Sequence, residues 1–429
     1  MIRISVLVFF VFSCLLIPKA HSMSLYQLLE NAVEEHNLIQ AAEAGRQSAI
    51  QGVRQTRGEW YPHVSASANI GQEHIDPASS RSASSKTRNH QTLRASQLIY
   101  DFGRSGAGID RSLAVLNRSE VELLATRQDV MLQGISAYLD VYRFARRLEL
   151  ARQSEKRIVD LTGVEETLVT RGAGLASDVL QAKSQLAAAR ATRVRAEGQL
   201  INARSRFKAV FGLDLTDEQV GRMYRPARPL DYLPATIHEA LQAASEKSLD
   251  MHLAEHNIDI ADHEIRFRQA RYLPEVHLIG ELKRKQNDSG ISGTRNEALG
   301  MVEVTWDIFS GGKERAAVMQ AIHNRQEMER VRDDQEYLVQ ERVVTAWQNL
   351  ITSRETARFL KDQAEILEEF LELAMRERML GTRSLLDVLN GEVTYLAALS
   401  NSISAEIDQD LAMYSMLYTM GTLELDVLR

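Results

Sequence analysis

Two histidines and a glutamate lie where a metallohydrolase would place them. His252-Leu253-Ala254-Glu255-His256 matches the H-x-x-E-H pattern, whose spacing sets both histidines on one helix face with the glutamate beside them. A zinc site also needs a third protein ligand, and His263 is the only close candidate. Solvated histidines on a helix face account for the match better. No phosphate loop or nucleophile elbow accompanies it. The reading is a chain that is not an enzyme and uses no catalytic residue, metal or cofactor. Two glycine turns carry the other candidate chemistry. Gly172 and Asp178 stand six apart, as do Gly381 and Asp387, and Val-Leu follows each aspartate.

That recurrence is part of a larger one. The second half of the chain restates the first at an offset of roughly two hundred residues. Arg57-Gly58-Glu59-Trp60-Tyr61-Pro62-His63-Val64 returns as Gln269-Ala270-Arg271-Tyr272-Leu273-Pro274-Glu275-Val276. Tyr100-Asp101-Phe102-Gly103 returns as Trp306-Asp307-Ile308-Phe309-Ser310-Gly311-Gly312, and Phe211-Gly212-Leu213 as Met420-Gly421-Thr422. Two copies at this long period make a duplicated unit, not a solenoid. The duplication also weakens the zinc pattern, because the first copy carries Gln40 and Ala44 where its histidines stand.

With 429 residues, seven prolines and 6% aromatics, the composition favours long helices over a set of compact domains. Residues 1–22 read as a signal peptide: Arg3, an apolar run from Ile4 to Ile17, and Ala20-His21-Ser22 as a small-x-small cleavage site. Removing Arg3 and Lys19 takes the formal charge from −7 to −9, which disfavours nucleic acid as a partner. Cys14 is the only cysteine. Val11-Phe12-Ser13-Cys14 is a loose lipoprotein signal, but Leu15-Leu16-Ile17 continues the apolar run past it, so removal with the signal is the preferred reading. Beyond the signal no apolar stretch approaches the ~20 residues of a membrane helix. A membrane crossing would therefore use strands.

Each copy, 23–222 and 236–425 with a linker at 223–235, should contain the same elements. A helix runs from Ser24 to about Trp60, and from Thr236 to about Tyr272, begun by a capping residue and stopped before a proline. Strand pairs follow at about 63–103 and 275–309. Val64, Ala66, Ala68 and Ile70 alternate with polar residues, as do Val276, Leu278, Gly280 and Leu282. Leu98, Tyr100 and Phe102 share one face of the second strand, as do Val302, Val304, Trp306 and Ile308. Polar loops, Glu73 to His90 with Ser79-Ser80-Arg81-Ser82, and Gln286 to Asn296, join the strands. Runs of about ten residues fit tilted transmembrane strands. Tyr100, Phe102, Trp306 and Phe309 then stand at the membrane interface. A soluble hairpin with one buried face is the alternative.

Proline-free stretches from Arg104 to Arg171 and Gly312 to Leu380 predict helices of about 68 residues, about 100 Å long. Helices of about 38 residues return from roughly Ser177 to Phe211 and Leu386 to Met420. Val179, Ala182, Leu186, Ala189, Arg193, Ala196, Leu200, Ala203, Phe207 and Val210 keep unbroken 3-4 spacing, matched by a seam from Val388 to Thr419. A strict seven-residue repeat imposes a left-handed supercoil, and the Ala or Gly at every second seam position admits a close neighbour. Four strands per chain cannot close a barrel, which begins at about eight. Open edges in lipid would leave orphaned backbone groups. The chain must supply a fraction of an oligomeric barrel, and three copies give twelve strands.

Across about Met23 to Leu425 the sequence resembles the TolC family of trimeric outer-membrane channel-tunnels. The likeness is carried by the proline turns, Tyr100–Gly103, Trp306–Gly312 and the two hairpin turns. Leu380-Gly381-Thr382-Arg383-Ser384-Leu385-Leu386-Asp387-Val388-Leu389 is the most specific segment. It implies an α+β membrane fold: a homotrimeric twelve-stranded β-barrel in the outer-membrane lipid of a Gram-negative cell, continued by a periplasmic α-helical barrel of coiled coils. It implies as partners a periplasmic membrane-fusion adaptor and an inner-membrane ABC transporter or proton-driven efflux pump. The adaptor would dock at the hairpin tips: Gly172, Gly174, Leu175, Gly381, Thr382 and Ser384. Arg383 matches a family residue that ties neighbouring coils together at the periplasmic gate, and Ser177 and Asp178 match its partners. Capping of the returning helices by Asp178 and Asp387 is the plainer alternative. Asp387 matches the first of two acidic entrance rings; Asn390 stands where the second would be. Arg378 replaces an aromatic gate residue of some members. The resemblance and the poor lipoprotein signal favour a type I secretion duct. Multidrug efflux is the alternative, and a periplasmic coiled-coil adaptor a remoter one.

Overall fold

The computed structural model describes residues 24–76 and 83–428. The expected signal peptide, Cys14 and the Ser79–Ser82 part of the first loop lie outside the described residues. The chain opens with α1 (Leu25–Glu35) and α2 (Asn37–Gly58), then β1 (His63–Ile75) and β2 (Ser84–Tyr100). The long α3 (Arg104–Thr170) and the returning α4 (Ala176–Phe211) complete the first unit. A short α5 (Asp217–Gly221) leads to the second: α6 (Ile237–Lys247), α7 (Leu249–Ala270), β3 (Glu275–Gln286), β4 (Thr294–Thr305), α8 (Lys313–Met379) and α9 (Leu385–Thr419). Both long helices have 67 residues. Gly172 and Gly381, with φ of +74° and +80°, end them in the left-handed conformation that glycine adopts without strain.

The opening helix expected as one piece is two in each copy. The backbone is extended at His36 (φ −66°, ψ 131°) and at Ser248 (φ −61°, ψ 121°). The break lets Leu25, Leu28 and Leu29 of α1 turn into the main core while α2 runs along α3. Thr236 caps its helix through Glu239 N at 3.2 Å, whereas Ser24 makes no such bond.

The four strands form one antiparallel sheet in the order β1-β2-β3-β4. Ladder pairing reaches His74↔Ser85 and Gln286↔Thr294, so much of the expected loops is strand. Polar side chains do not stop a ladder, since both backbone rows remain paired, and ion pairs such as Arg88–Asp288 (2.9 Å) tie the extended ends. An irregularity between Leu98 and Tyr100 inserts Ile99, so Leu98 pairs with His277 and Tyr100 with Val276. Leu98 and Tyr100 therefore do not share a face, which corrects the alternation expected there.

The sheet is inverted relative to a soluble one. Leu278 and Leu282 are about half exposed, whereas Ile279 and Glu281 between them are buried. Cross-strand partners share a face, so Val276, Leu278, Gly280 and Leu282 lie with Val304, Val302, Gly300 and Ala298 on the apolar outer side. His277, Glu281 and Lys283 line the concave side with Arg94, Glu297 and Glu303.

The helices bury one large core and smaller clusters. The large one gathers Leu29, Ile135, Tyr138, Leu139, Phe207, Met413, Tyr414 and Met416 midway along the long helices. Gly134 admits a close approach in this core, since a Cβ there would lie 2.5 Å from Leu29. Toward the hairpin turns, Ile158, Ala182, Ala189, Leu385 and Leu389 form one cluster, and Leu371, Ala374 and Val388 another. The seam positions Ala182, Ala189, Ala196 and Ala203 are all buried, as are Gly391, Ala398 and Ala405; only Ala412 is half-buried.

Candidate functional site

Three regions hold the residues that bear on function: the strand ends nearest the helices, the linker, and the hairpin ends. At the strand ends Tyr100, Phe102, Trp306 and Phe309 are all exposed, and Tyr100 and Phe102 meet edge-to-face at 4.6 Å. Trp60, Tyr61 and Tyr272, landmarks of the proline turns, join this exposed aromatic set. Trp306 Nε1 donates to the Tyr272 carbonyl at 2.9 Å, and Gln97 donates to that of Trp60 at 2.5 Å. The turns thereby anchor the strands, and their aromatics are exposed at the same strand ends as the other four. Buried Asp101 accepts from Ser105 N at 2.7 Å, holding the start of α3.

The linker is a strap hydrogen-bonded across α9. Arg225 pairs with Glu406 at 2.6 Å and, with Arg228, clasps the buried Asp410, the Arg228 contact at 2.9 Å. Burial alone would lower the Arg225 pKa, but Asp410 and Glu406 outweigh it and hold the guanidinium above its ordinary value. Tyr138 donates to the Tyr224 carbonyl at 2.8 Å, and Tyr414 to that of Ala227 at 3.1 Å. Burial pushes the Tyr138 hydroxyl up to about 12. These partners, nearly two hundred residues apart in the case of Arg225 and Asp410, have no local signal in the sequence.

At the hairpin ends the structure places each residue singled out above. Asp387 and Asn390 are exposed on the first turns of α9. Neither Asp178 nor Asp387 caps a helix: Ser384 Oγ accepts from Asp387 N at 3.1 Å, and the α4 cap position, Leu175, has no side chain able to do so. The capping alternative therefore fails for both. Ser177 donates to Asp178 at 3.3 Å. Within one chain Arg383 pairs with Glu377 at 2.9 Å and lies 5.1 Å over the Phe370 ring, so it is not brought to Ser177 or Asp178 of its own chain. Gly172, Leu175, Gly381, Thr382 and Ser384 are exposed at the turns and Gly174 is half-buried.

Sequence reasoning missed the ties between the two copies here. Arg157 of α3 meets the fully buried Glu392 of α9 at 2.7 Å, and Arg378 of α8 meets the buried Glu165 of α3. Arg378 thus carries an ion pair, and its Nη1 also donates to the Arg383 carbonyl at 3.2 Å. Tyr395, beside them, donates to Glu368 at 2.9 Å; burial and that carboxylate push its hydroxyl up to about 12.

The zinc pattern does not assemble. His252 faces Glu255 and His256 faces Asp259, each at 3.4 Å on their own helix. Among the described residues no group of three or more His, Cys, Asp or Glu could hold a metal ion. No helix among them is long and apolar enough to cross a membrane. The exposed apolar strand face is, by its own composition, a surface suited to lipid.

Comparison with known proteins decides the class. The model of the outer membrane efflux protein family matches residues 28–213 and 240–421, most of the chain and both copies. The chain belongs to that family. It is 22% identical over 414 residues to outer membrane efflux protein BepC of Brucella suis biovar 1, covering 95% of this chain and 88% of BepC. It is 24% identical over 416 residues to alkaline protease secretion protein AprF of Pseudomonas aeruginosa, covering 92% and 83%. A crystal structure of a membrane protein from Pseudomonas aeruginosa superposes with a TM-score of 0.79 at 21% identity, covering 92% of this chain and 93% of that one. The fold is that of the TolC-like channels, a barrel continued by a helical tunnel. The chain is an outer-membrane channel protein, and neither its family nor its fold is that of an enzyme.

Proposed function

We propose that the chain assembles as a homotrimer and serves as the passive exit duct of a tripartite export system. A periplasmic adaptor would dock at the hairpin tips and an inner-membrane pump would drive the cargo. One observation carries this reading above the others. The sheet has an apolar outer face, a polar inner face and two unpaired edges, β1 and β4, and such edges are tolerable in lipid only when neighbouring chains close them. Exposed apolar residues at multiples of seven support the same assembly along the helices: Leu180, Val194 and Ile201 on α4, and Phe359, Ile366 and Leu373 on α8, continued by Leu380 at its end. Such stripes fit the flank of an adjoining coil.

The cargo reading is type I protein secretion, supported by the likeness to a protease secretion protein and by the apolar run past Cys14. Drug efflux is the second reading, favoured by the likeness to BepC. Deleting the gene and assaying both cargo types separates them. Loss of a secreted protein with unchanged drug tolerance supports secretion; the reverse supports efflux.

At the entrance, Arg383 reaches Ser177 or Asp178 of a neighbouring coil, and three copies of Asp387 form a negative constriction. A planar guanidinium suits a carboxylate partner, and a ring of carboxylates favours cations. Arg383→Ser should raise single-channel conductance in planar bilayers. Asp387→Ala should weaken cation selectivity and abolish block by trivalent cations. Wild-type behaviour in both variants would place the gate elsewhere.

A further inference from the structure

The outer face of the sheet is sorted by charge. Across the paired positions of the described strands, the carboxylates Glu73, Glu275, Glu281, Glu297 and Glu303 all fall on the concave face. The outer face carries no carboxylate, and its only Lys or Arg is Arg284, which is exposed. Arg284 stands in a row with Gln91 on one side and Asn296 on the other, directly beyond Leu282, Leu93 and Ala298. Both flanking strands belong to the same chain, so this row is complete without a neighbour.

Its depth is what gives it meaning. From the level of Trp306 to Arg284 is ten residues of strand, about 33 Å at ~3.3 Å per residue. A strand tilt of about 40° brings that to about 25 Å along the membrane normal, the height of an outer-membrane apolar band. An outward arginine costs about 2–4 kcal/mol at the bilayer midplane and about 0–1 near the interface. Arg284 therefore lies at the outer, exterior boundary of the lipid belt. Among the paired positions of the described strands this guanidinium stands between two amide side chains with no carboxylate on its face, so its positive charge has no anionic partner there. Its fork suits phosphate oxygens.

We propose that Arg284, with Gln91 and Asn296, binds a phosphate of the phosphorylated glycolipid headgroups of the outer leaflet, one site per chain. The site rests on the outer-membrane placement of the chain and is independent of the cargo. Detergent-solubilised full-length protein, titrated with bis-phosphorylated lipid A and with its dephosphorylated form, tests it. The wild type should bind the phosphorylated lipid more tightly. Arg284→Gln should weaken that binding about fivefold, the size expected for one basic residue near an anionic surface. Arg284→Lys should retain most of it, and Arg295→Gln on the concave face should leave it unchanged. Gln91→Leu/Asn296→Leu keeps the charge and deletes the amide donors; it should also weaken binding, and gives a second readout if Arg284→Gln does not assemble. Equal binding of both lipid forms by the wild type, or wild-type binding by Arg284→Gln and by the double variant, would overturn the proposal. Displacement of the lipid by millimolar inorganic phosphate would likewise overturn it, in favour of a site for soluble anions.

Discussion

The two helical hairpins share a sequence register and a 67-residue partner helix, yet they are embedded differently. On α4 the buried residues are four seam alanines plus Leu200 and Phe207. On α9 burial extends beyond the seam to Leu385, Leu389, Glu392, Ile407, Asp410 and Met413. The reason is a second long helix. α9 packs against its own α8 and also along α3 of the first copy, whereas α4 packs along its own α3 and meets the second copy only at α9. The divergence is visible at one matched pair of positions. Glu392 is fully buried and paired with Arg157, whereas Lys183, its first-copy counterpart, is exposed and paired with the exposed Glu166 at 2.8 Å. Duplication set the helical register; unequal packing then changed the chemistry at each place.

The largest expected break in that comparison is at Glu392. Arg157→Ala strands a fully buried carboxylate, a loss of about 3 kcal/mol at the low end for a buried pair because Arg157 itself is partly exposed. Lys183→Ala should cost under about 1 kcal/mol, as surface pairs do. Denaturant unfolding of the two variants should show this inequality; equal costs would mean the hairpins are embedded alike.

A second contrast lies where the returning helices end. Gly212 and Gly421 both have positive φ, but a Cβ on Gly212 meets open space while one on Gly421 lies 2.2 Å from the Lys247 carbonyl. Gly421→Ala should cost about 3 kcal/mol and Gly212→Ala about 1 kcal/mol, the latter from backbone strain alone. Melting temperatures should rank them in that order.

The seam sharpens the comparison by what the copies still share. Ala189→Leu and Ala398→Leu should each destabilise by about 2 kcal/mol, because both alanines are buried and a larger side chain must push its neighbours aside. No change in thermal stability from either would place the seam against solvent.

Where a feature repeats along the chain, the sequence was readable. Missing prolines predicted both long helices almost to the residue, seven-residue spacing predicted the buried alanines, and alternation predicted four strands. Features that depend on partners far along the chain were not. The breaks at His36 and Ser248 answer to the core that α1 and α6 must reach, not to a local breaker. Ile99 is inserted in the ladder between β2 and β3, a pairing across the two copies that alternation within one strand does not reveal. Arg157–Glu392 and Arg378–Glu165 join residues more than two hundred positions apart. At the second hairpin, Asp387 and Asn390 stand exposed at the start of α9, while the helix cap is Ser384, because its hydroxyl, three residues earlier, reaches the free backbone N–H.

Closure of the sheet between chains is the claim on which the duct depends. The mass of the full-length protein solubilised from membranes in detergent, corrected for bound detergent, tests it most directly. The expected result is a particle of three chains that forms channels in planar bilayers. A stable monomer that conducts would contradict it.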